Sequence, residues 1–213
     1  MTEIVEKVLQ NLRKNRIAAE YVATKADVVP LLRTLLPQGA SIATGGSMSL
    51  FDTGVMDLLR SGAYCFHDRS DASLTPEQRE AATRAGATAE YFLCSSNAVT
   101  VNGELYNVDG NCNRISAIAY GPGRVIMVVG INKIVPDLNA AIRRVKTVAA
   151  PLNTKRLNCD TYCYHTGVCM GLEGGMTDGC NAPGRICCNY LVSAHQRHPD
   201  RITVILVGEP CGY

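Results

Sequence analysis

Val125-Ile126-Met127-Val128-Val129-Gly130-Ile131-Asn132-Lys133 is the stretch on which the fold turns. Its unbroken apolar run, mostly β-branched, predicts a strand buried on both faces, because a half-solvated strand would alternate with polar residues. A strand covered on both sides belongs in a parallel sheet between helices. Pro136 then opens a helix predicted to run to about Ala149, where Pro151 closes it.

The flanking sequence repeats this alternation. Ile4, Val5, Val8, Leu9 and Leu12 recur at helical spacing within residues 3–16, and a short strand is predicted at 18–22. Thr24 with Asp27 forms a capping box before a helix through Leu31, Leu32, Leu35 and Leu36, stopped by Pro37 and Gly39. A strand at 41–44 runs into Gly45-Gly46-Ser47, and one helix is predicted from about 49 to 60. A strand at 63–67, a helix at 76–88 opened by Thr75-Pro76-Glu77-Gln78, and a strand at 91–94 follow. Asn102-Gly103 between two strand-like runs predicts a two-residue hairpin. A last strand is expected at 202–207. The fold class is therefore α/β: a three-layer α/β/α open, mainly parallel sheet. The expected organisation is an α/β core over residues 1–155, a cysteine-rich segment over 156–190, and a returning helix end and strand over 191–213.

Composition narrows the function. The chain has 213 residues, 46% of them apolar, with a formal net charge of +2, so neither nucleic acid nor an anionic membrane surface is an expected partner. No apolar run reaches the roughly 20 residues of a membrane span, and a cytoplasmic location is expected. In a reducing compartment, ten cysteines point to metal or redox chemistry rather than disulfides. Cys65 and Cys94 are expected to be small apolar residues of buried strands.

Six cysteines fall between Cys159 and Cys188, spaced C-x3-C-x5-C-x10-C-x6-C-C among glycines. This segment has little apolar material with which to fold. Paired short zinc spacings are absent, whereas an iron–sulfur cluster tolerates irregular spacing, so a cluster and a zinc site both stay open. His165 is an alternate metal ligand. His195 and His198 are expected on a surface helix end.

Ligand candidates cluster where strands should end. Gly45, Gly46 and Ser47 allow close backbone approach to an anion. Asn97, Asn107 and Arg114 could bind a carboxylate, Arg114 bidentately, with Asp109 or Glu104 transferring protons. Asn132 and Lys133 follow the most buried strand, and Lys133 is a candidate anion ligand.

Together, Gly45–Leu50, Ser96–Thr100 to Leu105, Asn107–Arg114, Val128–Val135 and Ala149–Asn153 resemble the LUD (lactate-utilisation) family, in order along nearly the whole chain. The resemblance is closest to its short, YkgG-like members. It implies a fold similar to the sugar-phosphate isomerase and CoA-transferase group. The implied function is oxidation of a lactate-like 2-hydroxy acid, beside iron–sulfur partner proteins. Some short members end in a tail resembling C-x5-C-x2-C-x6-C with Pro-x-Arg-Ile-Cys. Pro183-Gly184-Arg185-Ile186-Cys187 matches that ending, and Cys163, Cys169 and Cys180 match the other positions. The gap after Cys169 is longer here, and Cys159 and Cys188 are additional. The resemblance implies a [4Fe–4S] cluster on Cys163, Cys169, Cys180 and Cys187, as electron carrier or Lewis acid. The other readings are a zinc-binding, non-catalytic redox subunit and a CoA- or nucleotide-dependent transferase using the cleft alone. Homo-oligomerisation is left open.

Overall fold

The computed structural model describes residues 1–213. Helix α1 (Glu3–Lys14) turns its Val5, Val8, Leu9 and Leu12 stripe inward and leads to strand β1 (Ala18–Val22). The Thr24–Asp27 capping box opens a 3₁₀ turn and then α2 (Val28–Leu35), and β2 (Ser41–Thr44) follows. The predicted helix at 49–60 is in fact two, α3 (Met48–Asp52) and α4 (Val55–Arg60). They part at Gly54, whose φ of +72° breaks the helical path. Next come β3 (Cys65–His67), α5 (Pro76–Ala85) with its Thr75–Gln78 capping box, and β4 (Tyr91–Cys94).

The hairpin pairs β5 (Ala98–Thr100) with β6 (Leu105–Asp109). Its loop differs from the predicted two-residue turn. The Gly103 N–H bonds Thr100, the Thr100 N–H bonds the Glu104 carbonyl, and Gly103 takes φ +81°. This is a three-residue loop with a glycine bulge. Gly103 also lies so close to Asn11 and Leu12 of α1 that a Cβ would stand 2.7 Å from their backbone.

Helix α6 (Asn113–Ala119), β7 (Arg124–Gly130) and β8 (Ile134–Val135) precede α7 (Leu138–Arg144). Pro151 does not end the next helix as predicted. A π-turn over Val145–Ala149 joins α7 to α8 (Ala150–Leu157), which puts Pro151 in the first turn of the new segment, where its missing N–H costs little. Helix α9 (Tyr162–Thr166), β9 (Asn189–Ser193) and β10 (Ile202–Val207) complete the chain. Strand β9 was not predicted, and the expected helix end at 191–200 does not form: His195 and His198 lie exposed in the loop after β9.

Strands β1-β10-β7-β4-β2-β3 form one six-stranded, wholly parallel sheet. Alternate residues of its central strands face opposite layers. Ala43, Phe92, Cys94, Val125, Met127 and Val129 pack with α1 and α6, while Ile42, Leu93, Ile126 and Val128 pack with α2, α3 and α4. The α/β/α reading therefore holds. Cys94 is buried as expected, but Cys65 is exposed because β3 is an edge strand. A second sheet, β8-β5-β6-β9, lies against α7 and the π-turn. Strand β9 brings the end of the cysteine segment beside β6, with Asn189 opposite Asp109. No helix is long and apolar enough to cross a membrane.

Candidate functional site

The carboxyl ends of β2, β4 and β7 open into one cleft of about 250 Å³. Gly46 and Ser47 follow β2, Ser95 to Asn97 follow β4, Asp109 ends β6 with Gly110, Asn111, Asn113 and Arg114 after it, and Lys133 follows β7. Helix α8 adds Asn153 and Arg156, and the cysteine segment closes a wall with Arg185, Ile186 and Cys187. Ligands of parallel α/β sheets collect at such strand ends. The lining is strongly basic: Arg69, Arg114, Lys133, Arg156 and Arg185 face a single carboxylate, Asp109.

Arg114 is the organiser of this cleft and not a free ligand. Its Nη1 donates to the Ser95 carbonyl (3.1 Å) and to Asn107 Oδ1 (2.6 Å). Its Nη2 donates to Asn97 Oδ1 (2.8 Å) and to the Val108 carbonyl (2.7 Å). All four terminal N–H groups are thus taken by the protein, and the expected bidentate grip on a substrate carboxylate is not available. Asp109 also works inward. One of its carboxylate oxygens accepts from the backbone N–H groups of Arg114 and Ile115 in the first turn of α6, and the other accepts from the backbone N–H of Asn111. Asp109 lines the cleft all the same, as the one carboxylate there.

Other predicted residues separate. Glu104 sits at the hairpin loop, bonded to the Thr100 hydroxyl, and takes no part in the cleft lining. Asn107 is fully buried behind Arg114, with its amide nitrogen unpartnered. Asn132 clamps the C-terminal tail by donating to the Gly212 carbonyl and accepting from the Cys211 N–H. Gly45 lies beneath the Arg114 stem, while Gly46 and Ser47 do line the cleft, and the Ser47 hydroxyl is buried without a partner. Asn97 lines the cleft with its Oδ1 shared between Arg114 and the Val108 N–H.

Lys133 is the most unusual group. It is 3% exposed, and its ammonium donates to the hydroxyls of Ser49 (2.9 Å) and Ser95 (3.1 Å) with no carboxylate in ion-pair reach. Burial pulls its pKa down from 10.5 to about 8. A buried cation lacking a counter-ion is costly, and an anion entering the cleft would supply one.

Cys163, Cys169, Cys180 and Cys187 line one narrow apolar cavity of about 30 Å³ directly behind this cleft. Cys187 lines both spaces. Burial and the neighbouring thiols of Cys163, Cys169 and Cys180 push Cys187 up to about 12. Hydroxyls of Thr161 (3.4 Å) and Thr154 (3.7 Å) stand against the Cys163 sulfur. No group of three or more His, Cys, Asp or Glu side chains converges on a point where one metal ion could sit. The four thiols share a cavity without converging on such a point. Two buried-side cations surround them. Arg185 reaches the carbonyls of Thr177, Cys180 and Cys187, and Lys146 reaches those of Gly171, Gly174 and Gly175. In number and type the four thiols would suit a four-thiolate cluster. Cys159 and Cys188 lie outside the cavity, and His165 is engaged with Asp160 at the surface.

Arg69, Arg156 and Arg185 were not among the expected cleft residues. Arg69 lies in a polar loop that nothing in the sequence distinguishes. Arg156 sits one turn beyond Asn153 on α8 and would have been legible had the helix been continued past Pro151. Arg185 was visible only as part of the Pro-x-Arg-Ile-Cys ending.

The crystal structure of a DUF162-family protein from Deinococcus radiodurans, solved at 1.70 Å, has a similar fold: TM-score 0.52, 15% identity, 96% of each chain covered. No curated protein matches the sequence. The family model described as LUD domain matches residues 5–207, nearly the whole length, and the chain belongs to the LUD-domain family, which is associated with lactate utilisation.

Proposed function

We propose that this is an iron–sulfur protein of 2-hydroxy acid oxidation, with a [4Fe–4S] cluster on Cys163, Cys169, Cys180 and Cys187. The observation that carries the reading is the position of Cys187, which lines both the four-cysteine cavity and the anion cleft. When bound, the cluster would supply one-electron transfer. Four thiolates leave no iron open for a substrate, so electron passage is favoured over Lewis-acid chemistry.

The chain's own residues have separable tasks. Lys133 and the Ser95 hydroxyl hold the substrate carboxylate at the strand ends. Ser47, with its unpaired hydroxyl, meets the polar substrate group nearest the Gly46 turn. Arg114 keeps the hairpin and the loop after β6 in register around them. Oxidation of a 2-hydroxy acid to a 2-oxo acid releases two electrons and two protons; an oxidised iron–sulfur redox partner would be the oxidant, taking the electrons one at a time by way of the cluster, and the protons would go to solvent.

Anaerobically purified protein tests the reading. About four irons and four sulfides per chain are expected, with broad absorbance near ~400 nm. Serine at Cys163, Cys169, Cys180 or Cys187 should abolish them, since serine is a poor soft-metal ligand. Serine at Cys159 or Cys188 should not. One zinc per chain without iron or sulfide would move the reading to a zinc-bearing docking subunit, and neither metal would overturn both.

A further inference from the structure

The cations of the cleft outnumber what a single carboxylate needs, and their hydrogen bonds say which of them are spare. Arg114 spends all four of its terminal N–H groups on the protein, and Arg185 spends three of its four. Arg156 donates through Nε and Nη2 to Asn153 and through Nε to Tyr213, which leaves Nη1 uncommitted. Arg69 is half-buried at the cleft wall, and its guanidinium has neither a hydrogen-bond acceptor nor an ion-pair partner. Burial holds it below the usual guanidinium range; the Asp109 carboxylate in the same cleft opposes this in part, and Arg156 and Arg79 add like-charge repulsion. Lys133 lies among a different set of charges, with Arg114, Arg144 and Asp52 around it.

The cleft thus has two cationic foci: the Arg69–Arg156 pair at one wall and Lys133 at the strand ends. Two guanidinium groups lining one cleft repel each other, and an anion bound between them would relieve that cost. Lactate has one anionic group. With its carboxylate on Lys133 it leaves the arginine pair unpaired.

We propose that the physiological substrate is a small 2-hydroxy acid bearing a second anionic group, its carboxylate on Lys133 and the second group between Arg69 and Arg156. This rests on the reading of the cleft as a 2-hydroxy acid site. A second carboxylate and a phosphate ester share the required chemistry, and an arginine pair suits either.

Titration calorimetry on the full-length, anaerobically purified protein distinguishes them, with lactate, malate and 3-phosphoglycerate as probes. At least one dianion should bind ten-fold or more tightly than lactate; whichever does so identifies the second group. Arg69→Gln is the discriminating variant, because Arg69 makes no side-chain hydrogen bond and its loss should not disturb folding. It should erase the dianion advantage while lactate affinity stays within two-fold. Lys133→Met should weaken all three ligands. Lactate binding as tightly as both dianions, no binding of any probe, or an Arg69→Gln effect equal for lactate and dianion would each overturn the proposal. Iron and sulfide content is measured on the same samples. A dianion preference in iron-free protein would sink the cluster and spare this inference, while full iron with no preference would do the reverse.

Discussion

Gly45 and Arg114 are packed backbone to stem: a Cβ on Gly45 would stand 2.8 Å from Arg114 Cγ, 2.9 Å from Cδ and 3.3 Å from Cys94 Cβ. The arginine cannot yield, because four hydrogen bonds fix its guanidinium beyond the contact. Gly45→Ala should therefore destabilise by about 1–3 kcal/mol through overpacking. For a chain of this size that lowers the melting temperature by roughly 2–12 °C. Circular dichroism melts would read it, and an unchanged melting temperature would show that the stem can slide.

Arg114→Lys separates an organising role from a substrate-binding one. A single ammonium cannot reach the Asn97 and Asn107 oxygens and the carbonyls of Ser95 and Val108 together, and each buried acceptor left unpaired costs about 1–3 kcal/mol. A loss of roughly 2–5 kcal/mol in urea unfolding is expected. Were Arg114 mainly a ligand, the variant would keep its stability and lose only anion affinity.

The layer architecture was legible because period and punctuation agreed: the run at Val125–Val129 could only be a doubly covered strand, and Thr24, Thr75 and Pro76 marked real helix starts. Three features were not legible, each for a local reason. Gly54 looks like any mid-helix glycine until its positive φ divides α3 from α4. Pro151 read as a stop, yet the preceding π-turn realigns the backbone so that a proline fits a first turn. Strand β9 is a mixed run, Asn189–Ser193, made a strand by the free edge of β6 and by no pattern of its own. The site divided in the same way. Cysteines announce themselves by type, but the four that share the cavity were separable from Cys159 and Cys188 only through the resemblance to the family's cysteine tail. Asparagine, aspartate and arginine do not reveal whether they will face a ligand or each other, and Arg114 and Asp109 proved to serve the protein itself.

Lys146→Met probes the loop inserted between Cys169 and Cys180. The Lys146 ammonium, projecting from the π-turn, gathers the carbonyls of Gly171, Gly174 and Gly175, and the Cys169 N–H bonds the Lys146 carbonyl. Without the ammonium, about 1–3 kcal/mol of local ordering is lost while the core is untouched. Limited proteolysis within residues 171–178 should accelerate several-fold with little change in global unfolding. Equal cleavage rates in variant and parent would mean that the segment is held by its other contacts.

Lys133 ties stability and binding together with opposite signs. Its pKa is about 8 in the folded protein and near 10.5 when exposed, so between these values the unfolded chain binds more protons than the native one. Stability should therefore rise as pH increases from about 8 towards 10.5. The penalty of burying the charge, on the order of 3 kcal/mol, is fully present below pH 8. Anion binding needs the ammonium and should run the other way, weakening by up to ten-fold per pH unit above 8. Lys133→Met removes the charge and keeps most of the stem, so at pH 7 it should leave stability unchanged or raised, with the rise in stability above pH 8 flattened. The Ser49 and Ser95 hydroxyls, 3.3 Å apart, can then bond each other. The same variant should lose anion binding. Urea unfolding at pH 7 and 9.5, beside titration of malate at both, reads the two effects. A variant less stable than its parent at pH 7 would mean that the Ser49 and Ser95 hydrogen bonds outweigh the cost of the buried charge, and that the lysine is there for the fold rather than for a ligand.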